Sequence, residues 1–290
     1  MTQLFSHLRV SSEYSISQGL LTVDQIVDNA IRSSVPSVAL TDKSNMFGLV
    51  KFFNKCESAG IKPISGSSIR LIFDDDETSY ELLCLAKTNN GHKNLMKIIS
   101  NAHNNSSFNS PIIRFNDLIE LKDDIIVISG GKDSHIFEYL KSNNISDASK
   151  RIDDFRNNFG DNFVLDVQLT NRIDEIEYLK NVLPIAKDKG IPLIATNDVL
   201  FAEQDDYEIH ETKVCINTGK TLNDPNRERV FSEHQYFKSP QEMTELFKDY
   251  DSLIDNTNEI SKKCNVSLET KGYFLPEYPV PKKHNFDSFL

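Results

Sequence analysis

The amino-acid sequence predicts an α/β fold in which strands form a closed or nearly closed barrel surrounded by helices. Short apolar, β-branched runs alternate with amphipathic helical patterns along much of the chain. Apolar strands joined by helices are typical of a mostly parallel sheet that is covered on both faces. With 290 residues, the chain is long enough for a barrel of roughly 250. After Asp198 the pattern changes to helices and turns.

The first two helices have clear local signals. The first is predicted over "VDQIVDNAI", with Thr22 and Gln25 as a capping box at its start. The second is predicted over "LVKFFNKCESAG" and ends at Gly60. The apolar faces of the two helices are Val23, Ile26, Val27, Ala30 and Ile31, and Leu49, Phe52, Phe53, Cys56 and Ala59.

The other elements follow the same alternation. Helices are predicted over "HKNLMKIISNA", "SKRIDDFRNNFG" and "EIEYLKNVLPIAKDKG". The predicted strands are "SVALT", "IKPISGSSIRL", "YELLCLA", "DIIVISG", "FVLDVQL" and "IPLIATND". Residues 1–270 are expected to form one domain, and the Pro-rich residues 271–290 an extended linker. This tail has no clear closing element, so we expect the chain to stop at a domain boundary.

The composition argues against nucleic-acid binding as the main task. The chain carries 43 acidic and 32 basic residues, a formal net charge of −11. A phosphate backbone is bound through clustered Lys and Arg, and a net acidic surface repels it. No basic stripe interleaved with aromatic residues is present in the sequence to offset this charge.

The cysteines and the N-terminus predict a soluble, cytoplasmic protein. The cysteines are far apart and form no CxxC pair, and three of them occupy apolar-periodic positions, which favours buried, reduced thiols. The N-terminus has neither a basic region nor a long apolar core. No run approaches the roughly 18 apolar residues that a membrane span needs. The four cysteines are Cys56, Cys84, Cys215 and Cys264.

The strand ends offer few metal ligands. Functional side chains of a parallel barrel lie at the C-terminal ends of its strands. A hydrolytic metal site needs several His, Asp, Glu or Cys side chains to converge there. Only Asp42 and Asp198 lie at the ends of predicted strands, with His7 and Glu81 on strands, and fixed cations at Arg9 and Lys43 would oppose metal binding.

The order and spacing of several motifs carry a family resemblance that covers essentially all 290 residues. They are "HLRV.SEYS...GL", "LTDKSNMFGLVKFF", "GIKPISG", "LAKTNNGHKNL", "VISGG", "ATNDV", "TLNDP", "MTELF" and "NTNEISKKCNV...YFLPEYP". With them, the chain resembles the N-terminal PHP (polymerase and histidinol phosphatase) domain family of bacterial replicative DNA polymerase III alpha subunits. The resemblance implies a distorted (β/α)7 TIM-like barrel, followed by a segment leading to the polymerase palm.

The same resemblance implies a degenerate metal site with no catalytic or metal-binding residue. Metal-competent members carry a first-strand HLHxH, whose second and third His are Arg9 and Ser11 here. The ligand His of their TDH motif is Lys43, and the final His of their NDxH motif is Leu200. An Asp, a Glu, a His and a Cys of the family align with Gln18, Ser68, Glu81 and Gly131. The vestigial metal-pocket positions are therefore His7, Arg9, Ser11, Gln18, Asp42, Lys43, Ser68, Glu81, Gly131, Asp198 and Leu200.

The resemblance further implies an inactive, metal-free domain that stabilises the alpha subunit and docks the proofreading 3′–5′ exonuclease (epsilon) subunit. DNA-directed nucleotidyl transfer, with its Mg²⁺, would belong to a palm domain beyond Leu290. The alternative is a working metal-dependent phosphoesterase or proofreading nuclease, which the residues at the ligand positions argue against. A nucleic-acid-binding module is a third, disfavoured reading.

Several motifs have both a functional and a structural interpretation. His7 is either a residual ligand or a hydrogen-bonded core residue, and the latter is usual for a lone His on an apolar strand. For Asp198 we expect a role in capping the next segment. "SGG" at 129–131 is more typical of a tight turn than of a phosphate cradle.

The charged motifs away from the strand ends are expected at the surface. His210–Glu211 and Glu233–His234 lack HExxH spacing, and surface placement is the default for such pairs. "DDDET" at 74–78 is predicted to be a solvated hairpin loop.

One expectation concerns electrostatics rather than the family. Carboxylates that converge without a metal repel one another. If the ligand positions still meet, Arg9 and Lys43 would face Glu81, Asp42 and Asp198. We therefore expect at least one ion pair within ~4 Å between these two sets.

Overall fold

The structure is a computed structural model that describes residues 4–76, 78–105, 111–268, 279–281, 283 and 285–289. The strands are β1 (Ser37–Leu40), β2 (Lys62–Ile72), β3 (Ser79–Ala86), β4 (Ile112–Arg114), β5 (Ile125–Ile128), β6 (Phe163–Gln168) and β7 (Leu193–Thr196). The helices are α1 (Val23–Arg32), α2 (Leu49–Ser58), α3 (Asn89–Asn105), α4 (Phe115–Glu120), α5 (His135–Lys141), α6 (Ile145–Phe159), α7 (Glu175–Lys189), α8 (Tyr207–Thr218), α9 (Pro240–Leu246), α10 (Asp251–Lys263) and α11 (Phe286–Phe289).

One sheet contains the strands of the described chain, in the order β1-β2-β3-β5-β6-β7, with β4 paired to β2 on the side. Its pairings are parallel except those of β3, which runs antiparallel to both β2 and β5. Because β3 returns directly from β2 through a short hairpin, it needs no crossover helix. Its first residues therefore lie beside the C-terminal ends of the parallel strands.

A short N-terminal segment, residues 7–11, joins the two edges of the sheet. On one side the amide of Ala39 donates to the His7 carbonyl at 2.8 Å. On the other side the amide of Ser11 donates to the Val199 carbonyl at 2.9 Å, just after β7. The sheet thereby curls into the distorted barrel that the sequence predicts.

Alternation along the strands separates two layers of core. Leu83 and Leu85 belong to the cluster inside the barrel, whereas Leu82 and Cys84 pack outward against the helices. The inner cluster also includes Ile260 of α10 and Cys264, which follows that helix. Because side chains alternate between the two faces of a strand, the same alternation determines which polar side chains point inward at the C-terminal end of the barrel.

Most predicted elements are confirmed, with differences at their margins. The capping box of Thr22 and Gln25 is present. Ile31 is 53% exposed because it lies at the margin of the apolar face, and Asn29 is buried instead, its amide bonded to the Gln25 carbonyl. Ala59 is exposed rather than inward because α2 ends one residue earlier and the chain turns at Gly60, whose φ is +70°.

All four cysteines are buried and free, as predicted. No helix of the described chain is both long and apolar enough to span a bilayer. The predicted linker at 271–290 lies largely outside the described residues, and its described part includes the short α11.

Candidate functional site

A cavity of about 390 Å³ opens at the C-terminal end of the barrel. It is surrounded by segments that follow β1, β5, β6 and β7 and by the start of β3. Its lining residues are Gln18, Lys43, Arg70, Ser79, Glu81, Lys132, Asp133, Arg172, Asp198, Val230 and Phe231. Four of these are positions that the sequence places in the vestigial metal pocket: Gln18, Lys43, Glu81 and Asp198.

A larger cavity of about 610 Å³ lies at the opposite end, between the strand starts and α10. It contains none of the predicted site residues. In a parallel barrel the strand starts contribute to stability, whereas the C-terminal ends carry function. The smaller cavity is therefore the candidate functional site.

Strand alternation explains why charged residues reach this pocket. Glu81 has the same inward orientation as Leu83 on β3, and its register partner Arg70 lies on the same face of β2 as Ser68, the register partner of Leu83. Asp166 is in phase with the inward Val164 on β6. The barrel interior thus changes from apolar to ionic toward this end.

Glu81 forms the centre of the pocket's ion pairs. Its Oε1 accepts a hydrogen bond from Arg9 Nη1 at 2.7 Å, and its Oε2 lies 3.0 Å from Lys43 Nζ. Burial opposes the ionisation of Glu81, yet Lys43 and Arg9 hold the pKa of this carboxyl well below its usual value. The predicted ion pair is confirmed, and one carboxylate binds both cations.

Asp42 is held differently from the prediction. Its carboxylate accepts hydrogen bonds from the amide and hydroxyl of Ser12, both at 2.7 Å, and from the hydroxyl of Ser15 at 2.6 Å. Burial raises the pKa of Asp42, although these hydrogen bonds favour the charged form. Among the described side chains, Asp42 makes no ion pair with Arg9 or Lys43.

Asp198 lines the pocket but does not cap the segment that follows it. Its Oδ2 accepts a hydrogen bond from Gln235 Nε2 at 2.8 Å, so it ties the end of β7 to a distant loop. The capping prediction is wrong, because Glu203 is the N-cap of the next helical segment. Burial raises the pKa of Asp198, and Arg9 and Arg172 offset part of this effect.

His7 is a core residue, as the structural interpretation predicted. It is fully buried, and its Nε2 lies 2.7 Å from the Lys238 carbonyl. Its ring packs edge-on against Phe5 and beside Phe237. Burial lowers the pKa of His7 to about 4.

The remaining predicted positions are buried parts of the barrel end. The Ser11 amide donates a hydrogen bond to the Val199 carbonyl, and the Leu200 amide donates one to the Gln235 carbonyl. These bonds hold residues 7–11 and the segment after β7 in place. Ser68 pairs with Leu83 in the sheet. Gly131 has φ of +59° and donates its amide to Asp166 Oδ1 at 2.7 Å, so "SGG" forms a tight turn.

Sequence reasoning missed Asp166, the most connected carboxylate at this end. It is fully buried and accepts hydrogen bonds from Ser129, Gly131 and Thr196 at 2.7–2.9 Å. Arg9 Nη2 lies 4.0 Å from its Oδ2. The available signal was a single acidic residue inside the apolar strand "FVLDVQL".

A second arginine, Arg172, whose side chain is only 6% exposed, was also missed. Arg172 follows β6, and its Nη1 donates to Asp133 at 3.2 Å while its Nε donates to Glu175 at 3.0 Å. Its Nη2 also donates to Gln168. The guanidinium thus fixes one wall of the pocket, but "TNRIDE" has no spacing that would have indicated this.

One of the two predicted surface pairs is packed more closely than expected. His210 and Glu211 are buried, because Glu211 pairs with Arg227 and His210 lies beside Phe201 and Phe231. The prediction of surface placement is therefore wrong for this pair. By contrast, Glu233 is exposed and His234 half-buried.

The acidic hairpin after β2 is not simply solvated. Asp74 pairs with Arg114 and Asp75 with Arg151, and Asp76 Oδ2 lies 2.9 Å from His135 Nε2. The contacts with Arg151 and His135 connect the hairpin to α6 and α5. Residue 77 lies outside the described residues.

The residues at this end fit a metal ion poorly. Glu81, the carboxylate at the centre of the pocket, is already bonded to a guanidinium and an ammonium group. Across the described ranges, no three His, Cys, Asp or Glu side chains group so as to hold a metal. A cation bound to Glu81 would have to displace both fixed charges from it.

Comparison with known proteins gives a consistent picture. The family model of the PHP domain matches residues 7–170. The chain is 38% identical over 292 residues to DNA polymerase III subunit alpha of Pseudomonas aeruginosa, covering 100% of this chain and 25% of that protein. It is 39% identical over 278 residues to DNA polymerase III subunit alpha of Escherichia coli K12, covering 95% of this chain and 24% of that protein.

The chain thus spans about a quarter of the length of the curated relatives that it matches. Among solved structures, an amidohydrolase from Chromobacterium violaceum overlaps 72% of this chain and 96% of its own, with 11% identity and a TM-score of 0.49. A likeness at that level supports no argument about function.

Proposed function

The chain belongs to the PHP domain family, and from this premise we propose that it is the N-terminal domain of a bacterial replicative DNA polymerase III alpha subunit. In this proposal residues 1–270 are the PHP domain, and residues 271–290 lead toward the polymerase palm. The domain acts in DNA replication in the cytoplasm, as a metal-free and catalytically inactive scaffold. It stabilises the polymerase and docks the proofreading 3′–5′ exonuclease (epsilon) subunit.

The observation that carries the proposal is the double ion pair at Glu81. Arg9 and Lys43 occupy two positions at which metal-competent relatives are expected to carry ligand His residues. Their charged groups lie 2.7 and 3.0 Å from the Glu81 carboxylate. Two permanent positive charges therefore provide the compensation that a bound metal would otherwise give.

Burial makes this compensation effective. The Arg9 side chain is 3% exposed and that of Glu81 is 18% exposed, so water screens their attraction only partly. The pair also connects the N-terminal segment to β3 across the barrel mouth. The fold can thus keep its ionic end without a metal, which explains how a PHP barrel persists as a scaffold.

This proposal gives the domain neither a nucleophile nor a metal-activated water. It therefore places the chemistry of the whole protein in another domain. DNA-directed nucleotidyl transfer and its Mg²⁺ would belong to the part of the polymerase that this chain does not include. No residue of this chain is assigned a catalytic role.

The docking role is tested by calorimetric titration of the chain with the cognate proofreading exonuclease subunit. We expect saturable one-to-one binding. The matched control replaces the exonuclease with a protein of similar size and charge that has no role in replication. No heat beyond dilution at high micromolar concentrations would remove the docking role and leave only the stabilising one.

A further inference from the structure

Helix α8 presents isoleucines to solvent while it buries polar side chains. Ile209 and Ile216 lie two turns apart on one face of the helix, and both are more than half exposed. His210 and Glu211 lie on the inner side and are buried. Single exposed isoleucines are common on proteins, but an apolar face that neighbouring segments extend is typical of an interaction surface.

Two neighbouring segments extend the apolar face of α8. Lys213 on this helix donates a hydrogen bond to the Gly19 carbonyl, so the turn at 13–19 lies beside the helix. The side-chain amide of Asn45 donates to the Tyr14 carbonyl at 3.1 Å, so the segment before α2 lies against the same turn. The four side chains that form this surface are 58–78% exposed, and we call them the α8 patch: Ile16, Phe47, Ile209 and Ile216.

The border of the α8 patch is acidic. The segment 203–211 contains no Lys or Arg, and its acidic residues are Glu203, Asp205, Asp206, Glu208 and Glu211. Two of these charges are compensated by arginines. Glu203 pairs with Arg32, and Glu211 pairs with Arg227. The other three carboxylates lie at the start of α8 or just before it.

Other charges near the patch do not reverse this balance. Glu13, in the turn beside α8, is exposed and adds a further negative charge. The ammonium group of Lys213 is bonded to the Gly19 carbonyl. That of Lys51 lies 3.3 Å from the carboxylate of Asp24. Four carboxylates therefore outweigh the charge of Lys213 around the patch.

This charge pattern selects the kind of partner. Complementary charges across an interface steer encounter and fix orientation, so the acidic border fits a protein segment whose apolar side chains are flanked by Lys and Arg. The same border repels nucleic acid and anionic membranes. We infer that the α8 patch docks the exonuclease subunit through such a segment. The inference rests on the proposed docking role and adds the place and the chemistry of the contact.

The test repeats the calorimetric titration of the chain with the cognate exonuclease subunit, now with paired variants. Ile209→Ser/Ile216→Ser should weaken binding about tenfold or more, because the apolar area that the partner would cover is lost. The control Ile145→Ser/Ile176→Ser removes two similarly exposed isoleucines, on α6 and α7, and should leave affinity unchanged. Thermal melts check that both variants fold.

Charge reversal gives an independent readout of the same surface. Glu208→Lys changes one charge in the first turn of α8 and should weaken binding severalfold, with a larger effect at low salt. The matched control is Glu177→Lys, because Glu177 is exposed in the first turn of α7. The control should bind the exonuclease subunit like the unmodified chain.

Each outcome decides between distinct claims. Loss of affinity in the α8 variants alone supports the inference. If the unmodified chain binds and the two isoleucine variants have equal affinities, the exonuclease docks elsewhere, so the inference is wrong while the docking role stands. No binding by the unmodified chain would remove the docking role and the inference with it. Binding of a DNA duplex that Ile209→Ser/Ile216→Ser abolishes would identify nucleic acid as the occupant and overturn the inference.

Discussion

Glu81 determines the charge balance at the barrel mouth, because two cations depend on a single carboxylate. Arg9 is almost fully buried, and Lys43 is more exposed. Removing one member of a buried pair leaves an uncompensated charge, whereas removing both can be nearly neutral. The buried member, Arg9, should therefore matter far more to stability than a surface cation.

Replacing Arg9 with Met should lower the free energy of unfolding by about 3–5 kcal/mol, because Glu81 keeps only its partly exposed partner. The double variant Arg9→Met/Glu81→Leu should recover a large part of this loss. Urea unfolding measures both. Lys248→Met, which breaks an exposed pair with Glu245, is the control and should cost less than about 1 kcal/mol. Similar losses for Arg9→Met and the control would contradict the proposed role of the ion pair.

His210 should make stability depend on pH. Burial lowers the pKa of His210 to about 4, well below the value near 6.5 expected in the unfolded chain. The unfolded state therefore binds more protons below about pH 6.5, and stability falls as the pH drops toward 4.

Between pH 8 and pH 5 this group alone should reduce the free energy of unfolding by about 2 kcal/mol. The variant His210→Phe keeps an aromatic ring beside Phe201 and Phe231. Between pH 8 and pH 5 its free energy of unfolding should fall by about 2 kcal/mol less than that of the unmodified protein. Urea unfolding at the two pH values provides the comparison. A parallel decline of the two proteins would mean that His210 is not the group that titrates.

At the scale of elements, the turn after β5 links the sheet to the pocket. Gly130 has φ of +94°, and a Cβ there would lie 2.3 Å from the Glu81 carbonyl oxygen. The turn therefore fits closely against the strand that carries the central carboxylate. Only glycine supplies both the left-handed conformation and the space.

Gly130→Ala should destabilise the protein by about 3 kcal/mol or more, since left-handed strain and overpacking add. Gly190, which follows α7 with φ of +62°, is the matched control, because a Cβ added there would meet no atom within 4 Å. Gly190→Ala should cost only about 1–2 kcal/mol. Thermal or urea unfolding of the two variants tests this, and equal costs would refute the close fit against Glu81.

The elements themselves could be predicted well because their signals are local. Alternating apolar strands and the Thr22–Gln25 capping box need no information from distant residues. The errors occur where distant residues decide burial. His210 and Glu211 looked like surface residues, and only the folding of Arg227 onto α8 provides the buried partner. The hairpin carboxylates at 74–76 likewise find partners far along the chain.

At the scale of the whole molecule, the Arg9–Glu81 contact could be predicted from the sequence because family-aligned positions converge in a barrel. Asp166 and Arg172 could not, since their importance depends on strand phase and on the path of the segment after β6. The same limitation applies to Asp42, which the neighbouring serines hold away from the cations. The sequence could show that the vestigial metal-pocket positions meet at one end of the barrel. Which side chains bond to one another there depends on the three-dimensional geometry.

The central claim is that fixed cations replace the metal in this PHP domain. The most direct measurement is elemental analysis of the purified chain after dialysis against zinc and manganese and removal of free metal. We predict far less than one metal ion per chain, and no change on substituting Asp198→Asn. About one or more ions per chain, lost in the Asp198→Asn variant, would contradict the claim.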